Sequence, residues 1–362
     1  MSVMAQINQR ALELGVPISV HMDLTYRCNE RCVHCYLDHD DRGEMTTAEI
    51  KDILDQLAEA GVFFLTLSGG EPLMRKDLFE IVGYARSLLF NVKLKTNGIL
   101  VGEKEARQLR ELGIESIQIS VYSHRAEVHD GITKVKGSLA RTKNAIRFLR
   151  SQGLKVIVAN VMMTANLGDQ EGVRTLAAEL DSIYTLDPTI TPHIDGDMSL
   201  LKLRIPTHEL ERVMHSPELV GGAVEEYCAP PPQADAETME DTPCSAGHTA
   251  CYVSPYGDVF PCVQFPLPTG NLRQQKFLAI WNDSPEMNEV RSIRMKDLST
   301  CSGCGHVGGC TRCPGLAYME GNMRGPSSAD CEKSFARTGI WSANMVKKFE
   351  MAPALVQIAG VQ

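Results

Sequence analysis

Twelve cysteines dominate the chemistry open to this chain of 362 residues. Cys28, Cys32 and Cys35 form a first group with the spacing C-x3-C-x2-C, and Cys244, Cys251, Cys262, Cys301, Cys304, Cys310, Cys313 and Cys331 form a second. Cys228 stands alone between them. A disulfide framework suits a short secreted chain that cannot build a core, whereas this chain is long and places cysteines two or three residues apart, the spacing of metal ligands. Three thiolates can hold only three corners of a four-iron cubane, so one iron stays open to an outside ligand. A structural zinc is normally closed by four protein ligands; His21, His34 or His39 could supply the fourth, but the spacing does not demand it. Cys301, Cys304, Cys310 and Cys313 by themselves would also fit a zinc ribbon, at the cost of leaving Cys244, Cys251, Cys262 and Cys331 without partners.

The elements that must position the first group repeat along the chain. β-Branched runs at Ile18–Leu24, Val62–Ser68, Asn91–Thr96, Ser116–Tyr122, Lys155–Met163 and Thr189–Ile194 read as strands. Helical patterns lie between them: Thr46 and Glu49 open a capping box ahead of Ile50, Ile53, Leu54 and Leu57, and others run near 77–88, 103–112, 137–152, 168–181 and 207–216. Six β/α units imply a parallel sheet, with ligands gathered at the carboxyl ends of its strands. The periodicity fits a doubly wound sheet and an incomplete barrel equally. After about residue 220 the stretch Ala229–Pro243 turns rich in Pro, Ala and acidic residues, suggesting a mobile connection to a cysteine-dense half that metal ligation would hold together. A helix is expected over Asp330–Phe349. A net charge of −9 without a dense basic face argues against nucleic acid. The N-terminus lacks a basic start followed by a long apolar stretch, and no apolar run is long enough to span a bilayer, so a cytoplasmic location is expected.

The first cysteine motif, in the loop after the first strand and followed by Tyr36, resembles the signature of the radical S-adenosylmethionine (AdoMet) enzymes. The resemblance implies an α/β partial (β/α)6 barrel in which the open iron chelates AdoMet and one electron cleaves it to a 5′-deoxyadenosyl radical. It extends to Ser68, Gly69, Gly70, Glu71 and Pro72 at the second strand end, along the methionine part of AdoMet. It continues through Thr96 and Asn97 at the third strand end, Ser120 at the fourth, and His129–Thr133 with Gly137 and Ser138. The Gly-x-Ile-x-Gly-x-x-Glu pattern of some members is not found; Asn160 is the candidate for related work.

The second group resembles the SPASM extension of peptide and protein maturases, which implies two auxiliary 4Fe-4S clusters and three clusters in all. The resemblance assigns Cys244, Cys251, Cys262 and Cys313 to one, and Cys301, Cys304, Cys310 and Cys331 to the other. The two residues between Cys310 and Cys313 depart from the family's three. The implied domains are 1–17 as an extension, 18–216 as the barrel, 217–243 as a linker, 244–335 as the auxiliary-cluster domain and 336–362 as a C-terminal helix and tail. Candidate catalytic groups at later strand ends are Tyr122, His124, His193 and Asp195, with Asp197 beside them. The resemblance implies an oxidative modification of a ribosomally made precursor peptide, with a one-electron donor such as flavodoxin or ferredoxin. Only 17 residues precede the first strand, so any leader binding is expected to come from a separate leader-binding protein or from the barrel surface. Alternatives are modification of a tetrapyrrole or other small molecule, formylglycine formation in a sulfatase, and a non-catalytic iron–sulfur or zinc protein.

Overall fold

A computed structural model describes residues 3–345. Contacts divide the chain into two compact units: residues through Ile205 together with Ser245–Arg291, and Pro206–Cys244 together with the residues from Ser292 onward.

The first unit carries one sheet, with β1 (Ser19–Thr25), β2 (Phe64–Gly69), β3 (Asn91–Thr96), β4 (Ser116–Ser120), β5 (Val156–Val161), β6 (Ile183–Asp187), β7 (Ala250–Val253), β8 (Asp258–Phe260) and β9 (Gly270–Asn271). Their order among the described residues is β6-β5-β4-β3-β2-β1-β7-β8-β9. From β1 to β6 every neighbouring pair is parallel. Each new strand adds on the same side as the last, so right-handed crossovers bring all the connecting helices to one face. A doubly wound sheet would reverse its order part-way. The strand order therefore decides for the partial barrel.

Local sequence explains the layers. Thr46 caps the helix Thr47–Glu59 in a reciprocal box with Glu49. That helix buries Ile50, Ile53, Leu54 and Leu57 in the same core as Met22 and Leu24 of β1, Leu65 and Leu67 of β2, and Val92 and Leu94 of β3. Side chains alternate across a strand, so His21 and Asp23, Lys93 and Lys95, and Gln118 and Ser120 fall on the opposite, inner face. One face of the sheet is thus oily and the other polar.

Two expectations are corrected. The sixth strand is Ile183–Asp187, paired with β5, and Thr189–Ile194 is a loop. Pro192 denies that β-branched run a ladder donor and Pro188 interrupts the chain just ahead of it, while the true strand is an edge with alternately exposed residues and a weak apolar signal. The cysteine-dense half is also not held by metal ligation alone. β7 pairs in parallel with β1, and β8 and β9 continue the same sheet antiparallel. The sheet carries Ser245–Arg291 into the first unit, so a compact boundary falls inside the expected auxiliary-cluster domain, after Arg291, as well as at its start. Helices at Val3–Leu14 and Ala126–Thr133 were not anticipated by the periodicity.

In the second unit the helices Thr207–Met214 and Ser328–Thr338 pack together, with the His215 ring nitrogen against the Ala336 carbonyl at 3.2 Å. The expected linker carries short helices at Pro217–Val220, Val224–Tyr227 and Ala236–Glu240. The expected helix over Asp330–Phe349 ends at Thr338, where Gly339 takes a left-handed conformation with φ of 70°. Its continuation and the tail, 346–362, lie outside the described residues.

Leu54 is fully buried beneath the sheet. Leu54→Ala should cost about 2–5 kcal/mol in chemical denaturation; an unmoved midpoint would contradict this packing.

Candidate functional site

The cysteine loop is rooted where the ends of β1 and β2 meet. The Gly70 amide donates to the Thr25 carbonyl at 2.8 Å and the Glu71 amide to the Arg27 carbonyl at 2.9 Å. Only glycine allows this approach: a Cβ at Gly69, which has φ of +130°, would lie 2.2 Å from the Thr25 oxygen, and one at Gly70 would lie 2.5 Å from the Arg27 oxygen. The Glu44 carboxylate clamps the same root, accepting from Thr25 Oγ1 at 2.5 Å and the Tyr26 amide at 2.9 Å. On the far side, Arg31 and Val33 donate their amides to the carbonyls of Thr133 and Ile132, each at 3.0 Å. Those carbonyls end the helix Ala126–Thr133, and Asp130 of that helix holds the Ser138 hydroxyl at 2.9 Å and the Leu139 amide at 3.0 Å at the start of the next. The His129–Thr133 and Gly137–Ser138 segments thereby become supports for the loop.

Cys28, Cys32 and Cys35 line one cavity of about 410 Å³ at the carboxyl ends of the strands. Tyr36, Ser68, Gly69, Gly70, Thr96, Asn97, Ser120 and Tyr122 line it too. No fourth cysteine does among the described residues. Burial pushes the Cys28 thiol up to about 12 and raises those of Cys32 and Cys35. Such thiols deprotonate when a metal replaces the proton, which couples metal binding to proton release. Beside them Asn97 Nδ2 donates to Asn29 Oδ1 at 2.7 Å, and the Cys32 sulfur lies 3.4 Å from Glu30 Oε2 and 3.9 Å from the Tyr122 hydroxyl. Burial lifts the Glu30 carboxyl to about 7 and lowers the His34 imidazole to about 4. The Tyr122 ring sits between His34 and His129, and its amide donates to His129 Nδ1 at 3.2 Å.

Other candidates sit behind the cavity or away from it. Glu71 is 0% exposed and does not line it. Its carboxylate accepts from Thr96 Oγ1 at 2.8 Å, the Asn97 amide at 2.8 Å and the Leu73 amide at 3.0 Å, locking the ends of β2 and β3 together. Burial raises it to about 7 in spite of these donors. Pro72 starts the short turn behind it. Asn160 is buried, donating to the Val121 carbonyl at 2.8 Å and accepting from the Tyr184 hydroxyl at 3.3 Å, so it braces β4 against β6. His124 is exposed and packs against Gly172. His193 and Asp195 belong to a turn closed by the His193 amide on the Asp197 carbonyl, outside the cavity lining. Of the expected catalytic groups only Tyr122 lines the cavity.

Sequence reasoning missed the inner-face residues Lys95, Gln118, Asp187, Thr191 and Gln264 and offered His21 only as a possible zinc ligand; all six line it. The period-2 alternation of polar residues in β1, β3 and β4 carries that signal. His21 Nε2 lies 3.1 Å from Asp23 Oδ1, and Asp23 Oδ2 accepts from the Tyr252 hydroxyl at 2.9 Å. Burial holds the His21 imidazole below its usual value, so it is neutral at neutral pH.

A second cavity lies in the other unit. Cys301, Cys304, Cys310 and Cys331 line it together with His306, Arg312 and Ser334. Cys331, not Cys313, completes this foursome, which sets it apart from the zinc-ribbon alternative. Cys313 caps the helix Pro314–Met319 instead, its sulfur accepting from the Leu316 amide. Cys251 stands in β7 and Cys262 just beyond β8. Cys228 lies in neither cavity; its thiol is 3.6 Å from the Met214 carbonyl.

Family models match both the strand-and-helix part of the chain and its cysteine-rich part. The radical SAM superfamily matches residues 22–177, and the SPASM iron–sulfur cluster-binding domain matches residues 244–305. The AdoMet-dependent heme synthase of Methanosarcina barkeri is 30% identical over 84% of this chain and 93% of its own length. This chain belongs to the radical SAM superfamily. Another relative, the mycofactocin maturase MftC of Mycobacterium tuberculosis, is 30% identical over 84% of this chain and 80% of its own. The radical SAM fold also matches the crystal structure of Streptococcus suis SuiB bound to its precursor peptide SuiA, with a TM-score of 0.70 at 17% identity, covering 91% of this chain and 80% of that one. As a radical SAM enzyme with a SPASM domain, the protein uses AdoMet, a 4Fe-4S cluster and auxiliary iron–sulfur clusters. The non-catalytic alternative falls with that membership. No helix among the described residues is long and apolar enough to cross a membrane.

Gly70→Ala forces a carbon into the backbone at the root of the cysteine loop. It should cost about 1–3 kcal/mol or more and lower iron incorporation during anaerobic reconstitution. Full iron content at unchanged stability would show that the close approach is dispensable.

Proposed function

We propose that this enzyme oxidatively modifies a ribosomally made precursor peptide. The observation that carries the reading is the polar inner wall of the first cavity, where His21, Lys95, Gln118, Asp187, Thr191 and Gln264 offer hydrogen-bonding groups suited to peptide amides. Peptide-acting relatives support it: the mycofactocin maturase in sequence, and in fold the maturase solved with its precursor peptide.

Cys28, Cys32 and Cys35 are the ligands that fit a 4Fe-4S cluster with one open iron, since three thiols and no fourth share the cavity. Ser68 to Gly70, Thr96, Asn97, Ser120 and Tyr36 are the residues placed to hold AdoMet beside it, with Glu71, Pro72 and Asn160 bracing them from behind. Cluster and AdoMet together supply hydrogen-atom abstraction. The chain's own part in the step that follows is to receive a proton. His21 fits that role: Nε2–H donates to Asp23, so Nδ1 keeps its lone pair, and Asp23 fixes the ring. Cys301, Cys304, Cys310 and Cys331 hold an auxiliary cluster, and a flavodoxin or ferredoxin supplies the electron. Free thiols throughout fit the cytoplasm.

A second reading has one observation in its favour. The heme synthase relative matches over nearly its whole length, and Lys95 would suit a tetrapyrrole carboxylate. Reconstituted enzyme given AdoMet, a reductant and a candidate precursor peptide should yield a peptide lighter by hydrogen, with 5′-deoxyadenosine formed in step. An unaltered peptide alongside an altered tetrapyrrole would overturn the proposal.

Two substitutions test the roles. Cys32→Ala should abolish 5′-deoxyadenosine formation, whereas Cys304→Ala should retain uncoupled AdoMet cleavage; undiminished cleavage in the first would show the site misplaced. His21→Gln should lower modified peptide about 100-fold or more while sparing AdoMet cleavage. Burial lowers the His21 pKa, opposed by the hydrogen bond to Asp23 and aided by the Lys95 charge, which keeps wild-type product formation flat down past the ordinary histidine value of about 6.5. It then falls in more acidic buffer. A variant as active as wild type would remove His21 from the mechanism.

A further inference from the structure

Arg312 lies between Cys310 and Cys313 in sequence and is 6% exposed. Its Nε donates to the Gly325 carbonyl at 2.6 Å, and Nη2 donates to the Met323 carbonyl. Nη1 is buried and has no partner among the described residues. A guanidinium stays charged under all ordinary conditions, and a buried charge is costly unless an opposite charge answers it. Among the described residues the cavity holds one carboxylate, Asp330, which acts electrostatically on Arg312 but also accepts the Cys313 amide at 2.8 Å and pairs with Lys333 Nζ at 2.6 Å. With Lys333 offsetting that carboxylate, the other cavity groups able to answer the guanidinium with negative charge are the four cysteines.

We propose that Arg312 compensates the charge of the centre held by Cys301, Cys304, Cys310 and Cys331 and holds its reduction potential upward. A cubane on four thiolates is anionic, and reduction adds one more negative charge. A fixed buried cation favours the reduced form over the oxidised one, because the Coulomb gain grows with the charge it faces. Two further donors act in the same direction: the Ala343 amide on Cys304 Sγ and the Ser334 hydroxyl on Cys310 Sγ, each at 3.5 Å. His306, 1% exposed in the same cavity, has its Nε2 against the Ile340 carbonyl at 2.9 Å. Arg312 is thus a positioning residue in the electrostatic sense, making this centre the easier one to reduce than its thiolates alone would allow.

The inference rests on the four cysteines sharing one cluster, and the experiment separates the two claims. Full-length protein is reconstituted anaerobically and titrated potentiometrically with detection by electron paramagnetic resonance. The signal of this centre is the one lost in Cys304→Ala. Arg312→Gln and Arg312→Met should retain iron. At the potential where the wild-type centre is half reduced, their ratio of reduced to oxidised centre should fall tenfold or more, about 59 mV for a one-electron couple. Arg312→Lys, which breaks the same carbonyl bonds but keeps the charge, should recover most of the shift. The proposal is overturned if the neutral variants titrate like wild type, if Lys behaves like Gln, or if all three variants lose the centre's iron, which would make the arginine a brace for 323–325. An iron count unchanged in Cys304→Ala would overturn the ligand assignment instead.

Discussion

The site depends on two stretches of backbone lying against each other. Residues 69–71 run so close to residues 25–27 that no side chain fits between them, and the hydrogen bonds across that contact fix the chain where it enters Cys28. Glu71 extends the constraint sideways. Its buried carboxylate gathers the hydroxyl of Thr96 and the amides of Leu73 and Asn97, so three strand ends become one rigid rim. A loop must hold its ligands rigidly to accept a cluster without a fourth thiol, because the protein cannot close the coordination sphere itself. The Ser-Gly-Gly-Glu-Pro segment accordingly serves to hold the cysteine loop in place.

Much of this was legible in the residues and some of it was not. The helix at Thr47–Glu59 and the first five strands follow from caps and β-branched runs, since each is a local signal. Ile183–Asp187 escaped because an edge strand has one partner and an exposed side, whereas the more β-rich Thr189–Ile194 is disqualified by Pro192 within it and Pro188 just ahead of it. The three-thiol motif was plain from spacing. The roles of Glu71 and Asn160 were not, because a buried polar residue that braces strand ends looks in sequence like one that touches a ligand. His193 and Asp195 were placed at a strand end that does not exist, so they fell into a surface turn. His21 was visible all along as the first of an alternating His-x-Asp pair, a pattern that reads as an inner face only once the sheet's outer face is known to be apolar.

The two cavities solve opposite electrostatic problems. In the first, three thiols and Glu30 share the lining, and burial pushes each of them toward its neutral form, so binding a metal there releases protons. In the second, a permanent cation waits among four thiols. An enzyme that starts a radical by giving an electron and finishes by accepting one has use for both environments.

The central claim is that the protein leaves one iron of the first cluster without a ligand of its own. Mössbauer spectra of full-length protein reconstituted with enriched iron, recorded before and after AdoMet, test it most directly. One iron subsite should change coordination on adding AdoMet and the others should not. A first cluster in which no subsite responds, or a zinc ion in its place, would contradict the account.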